Sequence, residues 1–312
     1  MSIYLVGIRL QHEYKKGELM ENLNIKVKKW ITGALLLLTT QIGYAADPVA
    51  LVLDVRGSAA VIQPHKAKLA ILSYLAPGTV LRIEPGAKVA VTYFYKALEY
   101  NFTGPAVVAI KPEMAQVISG NPAQRRDLEE MQTEAVKKLA LRPSDKLARA
   151  TFEMRSLPKT LRLLAPLNSA IVTTTPELSW ESVPGAQHYR LVIADARGLT
   201  LVDEKTSASS WRVPKDAPLP IGQTYRWRVE AQFATGKVIS PDGEFWIVDQ
   251  LQADKIARIR PPANASFADR VLYAVTLENL DLKEDAKAEW SRLAQERPQE
   301  MLLQQRAAQG NP

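Results

Sequence analysis

Cysteine is absent from the 312-residue chain, and histidine occurs only three times, at His12, His65 and His188. Without cysteine there is no disulfide framework, thiol nucleophile, cysteine-type zinc site or lipid-modified leader. Three scattered histidines are thin material for imidazole catalysis or metal binding. His65 lies in the polar run "QPHKAK", and His188 stands beside Tyr189 on the side away from the expected core. The chain also lacks a G-x-S-x-G elbow, an H-E-x-x-H pair and the Walker or Rossmann glycine patterns. The acidic run "NLDLKEDAKAE" lacks the central glycine of an EF-hand loop. A carboxylate pair for glycoside hydrolysis needs no motif, and nothing specific points to one. No cofactor and no metal are expected.

Long hydrophobic runs are scarce too. The longest near the start, Ile31 to Leu38, has 8 residues, about 12 Å as a helix against a hydrocarbon core of about 30 Å. It follows Lys26, Lys28 and Lys29 and precedes "GYA-AD", with small residues Gly43 and Ala45 at cleavage spacing. The pattern predicts a secretory signal over residues 1–45, cleaved after Ala45, and hence a periplasmic protein. The rival is an uncleaved inner-membrane anchor, which Thr39, Thr40 and Gln41 weaken. Residues 1–19 sit oddly before this signal, and a translation start at Met20 would account for them.

Concentrated charge is the last absence. The whole chain carries +7; residues 1–45 hold six basic and three acidic residues, so the remainder has 34 and 30, a net +4. These charges are dispersed rather than gathered into a stripe, which argues against nucleic acid as a partner.

What is present is dense β pattern. Between 46 and 120, "VALVLDVRG", "VLRIE", "KVAVTYFY" and "YNFTGPAVVAIKP" alternate with turn signals at Pro77-Gly78 and Pro85-Gly86. Closely spaced strands with such corners predict a small β-barrel or β-sandwich. Gly57, Leu75, Gly78, Leu81, "EPGAKVAVTYF" at 84–94 and "GPA" at 104–106 resemble the FecR-type periplasmic sensor domain. FecR proteins carry an N-terminal anti-sigma region and a membrane helix; this chain shows neither, so sigma-factor regulation is not implied.

Residues 121–160 change to helix formers. Leu128, Met131, Ala135 and Leu139 recur at helical spacing, with Pro122 expected in the first turn. Glu129, Glu130 and Glu134 interrupt the basic residues, so this reads as a helical connector.

Residues 161–248 return to strands. In "PELSWESVPGAQHYRLVI" and "YRWRVEA", Trp180, Tyr189, Leu191, Ile193, Tyr225, Trp227 and Val229 alternate with polar neighbours. Such short strands predict an antiparallel sandwich. These runs, with "WRVP" at 211–214, "GQTYRWRV" at 222–229 and Phe245, resemble a fibronectin type III domain. Trp180, Tyr189, Leu191, Tyr225 and Trp227 are the expected core. A sugar-stacking role for Trp180 and Trp227 is the competing reading, and their alternation favours the core. Trp211 and Trp246 are expected to be partly exposed.

Residues 249–312 are helical. Ser266 with Asp269, and Asp281 with Glu284, stand at capping-box spacing and open two helices of an αα-hairpin. Ala274, Ala286, Trp290 and Pro298 resemble one tetratricopeptide unit. One such unit cannot bury its own apolar face. It must pack on the preceding domain, a partner or another copy, which makes Tyr273, Leu277, Trp290 and Leu293 candidate partner contacts.

The expected fold class is therefore multidomain and mainly β with helical segments: a FecR-like β domain, a helical connector, a fibronectin type III-like sandwich and a C-terminal hairpin. All three resemblances imply interaction modules. They suggest an exported, non-enzymatic binding or scaffold protein of the bacterial envelope with a protein partner. The alternative is binding of peptidoglycan or another cell-wall glycan. A hydrolase with an interdomain site is a weaker third class.

Overall fold

The computed structural model describes residues 47–140 and 161–308. The expected leader, the second half of the connector and the last four residues lie outside the described residues. Residues 47–312 form one compact unit. The chain is mainly β with helical segments.

The first β domain is a pair of five-stranded sheets. One runs β10 (Gln124–Asp127), β7 (Leu98–Thr103), β6 (Lys88–Tyr93), β1 (Ala50–Arg56), β4 (Tyr74–Leu75). The other runs β3 (Ala67–Lys68), β2 (Ala59–Gln63), β5 (Val80–Ile83), β8 (Ala106–Ile110), β9 (Ala115–Gly120). Their inner faces share a core of Val52, Leu81, Ile83, Val91, Tyr93, Phe102 and Val108. Strand β1 is buried on both faces: Ala50 and Val52 point into this core, Leu51 and Leu53 away from it into a second one. That explains why "ALVLDV" reads as an unbroken apolar run rather than an alternation, as strands covered on both sides do.

The domain continues past residue 120. Residues 124–127 add strand β10 to β7, with Arg125 opposite Tyr100, so the first helix begins at Glu130 and not at Pro122. The free edge of β7 offers its backbone groups to this segment, and Arg126 secures it by reaching Glu99 at 2.6 Å. Helix α1 (Glu130–Ala140) then follows and buries Ala135, Val136 and Leu139.

The sandwich has a three-stranded sheet, β11 (Leu163–Ala165), β13 (Glu177–Trp180), β16 (Ser210–Arg212). Facing it are β12 (Ser169–Ile171), β19 (Gly243–Ile247), β17 (Thr224–Phe233), β14 (His188–Asp195) and β15 (Thr200–Thr206), with β18 (Gly236–Ile239) also on β17. Strands β14 and β17 pair antiparallel over eight residues, with Leu191 opposite Val229 and Ile193 opposite Trp227. The "PLPIGQTY" stretch closes against the next strand: the Tyr225 hydroxyl donates to the Pro220 carbonyl at 2.6 Å. This is the tyrosine corner of immunoglobulin-like and related sandwiches. A three-stranded sheet facing a six-stranded one, with that corner, is a fibronectin type III-like arrangement.

Four helices complete the chain: α2 (Gln250–Ile259), α3 (Phe267–Asn279), α4 (Lys283–Glu296) and α5 (Met301–Ala308). At α3 the Ser266 side chain accepts from the Asp269 amide and Asp269 accepts from the Ser266 amide, a reciprocal capping box. The expected second box does not form. Asp281 adopts φ +57 in the turn, and α4 begins at Lys283 behind an N-cap, Leu282, that makes no side-chain cap. The turn is instead held by the sandwich: the Asp281 carbonyl accepts from the Ala170 amide at 2.9 Å and from the Ser169 hydroxyl at 3.0 Å.

Candidate functional site

The five sandwich residues singled out by alternation all lie in one buried cluster. Trp180 packs edge-on to Tyr189 with ring centroids 5.5 Å apart, and Tyr225 stacks on Phe245 at 5.3 Å. Trp227 donates its indole N–H to the Pro166 carbonyl at 2.9 Å. None of these rings is available to stack on a sugar. Trp211 and Trp246 are partly buried, as is His188, while His65 is exposed.

The hairpin departs from expectation. Tyr273, Leu277, Trp290 and Leu293 are all buried, Tyr273 being the most accessible at 6%. Their cover is this chain. A single cluster joins Leu51, Leu53, Ile71 and Phe94 of the β domain, Val136 and Leu139 of α1, Ala170 and Val248 of the sandwich, and the apolar residues of α3 and α4. The apolar face that one helical unit cannot bury alone is thus buried against the preceding domains. Trp290 and Leu293 are core residues rather than partner contacts. Polar contacts edge the seam. The Arg297 guanidinium lies 3.6 Å over the Phe267 ring and 2.6 Å from Asp54. Arg126 bridges Glu99 and Asp269. Trp290 donates to Glu278, which also accepts from Arg306 of α5, at 2.8 and 2.7 Å.

One side of the hairpin remains open. Between α3, α4 and the 260–263 corner lies a groove of about 360 Å³. Its α3 wall is Arg270, Tyr273 and Leu277; its α4 wall is Asp285, Ala288, Glu289 and Arg292. Each set spans eight residues of one helical face, about seven rises of about 1.5 Å or about 10 Å of groove. Arg260, Pro261, Pro262 and Ala263 close the third side. Tyr273 and Leu277 lie behind this groove, although both are almost wholly buried.

The charges of this groove divide into spent and unspent. Arg292 pairs with Glu289 at 2.8 Å, and Arg270 pairs with Glu296. The side chains of Arg260 and Asp285 make no hydrogen bond or salt bridge among the described residues. Asp285 is exposed at its edge, yet crowding by surrounding atoms raises its carboxyl above the ordinary value, with Arg260 and Arg292 opposing that rise from a distance. Proline at 261 and 262 gave no sequence signal of a binding wall, because X-Pro-Pro reads equally as a linker. The groove needed the hairpin angle to appear.

No group of three metal-ligating side chains occurs among the described residues. No described helix is long and apolar enough to cross a membrane.

No protein-family model and no curated protein matches the chain. Solved structures similar to parts of it include an Fn3-like protein from Clostridium thermocellum, at 17% identity and a TM-score of 0.23, covering 30% of this chain and 97% of that one. CopC from Methylosinus trichosporium OB3b has 14% identity and a TM-score of 0.23, covering 29% and 95%. The fn3 domain of human collagen alpha-1(XX) chain has 21% identity and a TM-score of 0.22, covering 38% and 99%. Similarity at this level carries no argument about activity. The assignment of the sandwich rests on its own strand order and tyrosine corner.

Proposed function

We propose that this chain is a non-enzymatic binding or scaffold protein of the bacterial envelope that holds a protein partner at the hairpin groove. One observation carries the reading. The hairpin's inner face is covered by the chain's own β domain, while its outer side keeps an open groove lined by both non-polar and charged side chains. Ligand and peptide sites share that makeup: an apolar surface for contact and a few polar groups for orientation. The FecR-like character of the first domain and export through the leader belong to the same proposal. They rest on the 57–106 residue pattern and on the "KVKKW"–"GYA" segment respectively.

The test is in-cell photo-crosslinking from position 288, an exposed alanine on the α4 wall. A discrete protein adduct, recovered from the envelope fraction and identified by mass spectrometry, is the expected result. Adducts that collapse on muramidase digestion, together with retention of the purified protein on peptidoglycan, would instead establish the glycan alternative.

A further inference from the structure

We infer that the groove between α3 and α4 binds an extended, uncharged peptide segment of the partner. Its backbone would be held by Arg260 and Asp285, and an aliphatic side chain would sit on the groove's non-polar lining. This deepens the reading above and rests on it for the partner's being a protein.

The argument starts from the charges. Four of the six ionised groups in and beside the groove satisfy one another, as Arg292 with Glu289 and Arg270 with Glu296. The two left over are of opposite sign. A guanidinium is donor only and a carboxylate acceptor only. A ligand that completes both must present one acceptor and one donor along the groove. A peptide backbone does so at every residue, through its C=O and N–H. An anion would satisfy Arg260 and be repelled by Asp285; a cation would do the reverse. Neither single-sign ligand fits the pair.

Length and lining agree. A groove of about 10 Å matches about three extended residues at 3.3–3.6 Å each. Pro261, Pro262, Ala263 and Ala288 offer a non-polar surface to the side chain between the held backbone groups. Because Tyr273 and Leu277 behind it are locked in the core, that surface is already in place before a ligand arrives, which lowers the ordering cost of binding.

The probe is a dye-labelled peptide, acetyl-Ser-Leu-Val-Leu-Ser-amide, titrated by fluorescence anisotropy against the protein. A second peptide carries N-methyl groups on its central amides, and a third has Glu in place of both Leu. The expected order is binding of the first and a loss of about tenfold for each of the other two, a step of about 1.4 kcal/mol. Arg260→Ala and Asp285→Ala should each weaken the first peptide by a similar factor. Both side chains are exposed, so the variants should melt with the parent. Equal affinity for the N-methylated peptide overturns the backbone clamp, whatever the variants do. Tighter binding of the Glu peptide overturns it in favour of an anion site. Absence of binding by all three peptides at millimolar concentration overturns the peptide assignment alone. The scaffold reading is decided separately by the cellular crosslink.

Discussion

Arg297, just after α4, reaches Asp54 on β1 at 2.6 Å while its guanidinium covers the Phe267 ring at 3.6 Å. The same residue donates to the Val55 carbonyl at 3.2 Å. Both charged side chains are nearly nine-tenths buried. One residue near the C-terminus therefore closes the seam on the first strand of the β domain. Removing it leaves the buried Asp54 carboxylate with only the half-exposed Arg56, at 3.1 Å, and breaking a buried pair from one side is the costly way to do it. Arg297→Ala is expected to lower unfolding stability by about 3 kcal/mol. Arg297→Met combined with Asp54→Leu should recover most of that. Urea denaturation of both variants checks the order; equal losses would show that the pair contributes little.

The two sandwich tryptophans should respond differently to phenylalanine. Trp227 donates to the Pro166 carbonyl, whereas the Trp180 indole N–H is buried without a partner among the described residues. Trp227→Phe deprives a carbonyl of its donor and should cost about 1 kcal/mol more than Trp180→Phe. Either residue changed to alanine should cost about 3–5 kcal/mol, a large part of a domain's total of about 5–15 kcal/mol. Melting curves with near-ultraviolet circular dichroism measure this. An alanine variant that kept its melting temperature would contradict the core assignment.

The seam should also loosen in acid. Burial works against the Asp269 carboxylate, but hydrogen bonds from Ser266 and the attraction of Arg126 outweigh it and hold its pKa below the ordinary 3.8. A group depressed on folding adds stability that is fully present above its unfolded value and lost as pH falls through the folded one. Asp269→Asn should therefore be less stable than the parent at pH 7, and the difference should shrink below pH 4 or so. Paired denaturation curves at pH 7, 5 and 3.5 or so test the sign. A difference that grew in acid would contradict it.

Gly104, in the "GPA" corner, has no room for a side chain. A Cβ there would stand 1.9 Å from the Glu84 carbonyl oxygen, which is backbone and cannot step aside cheaply. Gly104→Ala should cost about 3 kcal/mol or more, at or above the usual range for overpacking. Gly78→Ala is the control, since nothing lies within 4 Å of its Cβ position, although its φ of +88 still carries some backbone strain. Comparable melting temperatures for the two variants would rule out the steric account.

Deleting the helices from residue 263 onward should leave Leu51, Leu53 and Phe94 uncovered. All three are within 1% of complete burial in the whole chain. The truncated protein is expected to aggregate on size-exclusion chromatography, since a patch of that kind is rarely left open on a soluble surface. A monodisperse product would mean that the β domain does not depend on the hairpin for its cover.

Period and composition alone determined the succession of strands and helices. Tyr189, Leu191, Tyr225 and Trp227 declare an alternating face locally, and Ser266 with Asp269 declares a helix start within four residues. The same signals misled where a neighbour outbid local preference. Pro122 looked like a helix entrance until the edge of β7 took residues 124–127 as a strand, and Asp281 looked like a cap until the turn bent into left-handed backbone and docked on Ser169 and Ala170. Tertiary structure alone decided what the hairpin's apolar face meets. Tyr273, Leu277, Trp290 and Leu293 announce that they need cover, but hydrophobic burial is non-directional, so their pattern names no occupant. Only the packing of the hairpin against the outer face of β1 shows that the chain covers itself, and only that packing leaves the Arg260 and Asp285 side chains at an open groove without a partner among the described residues.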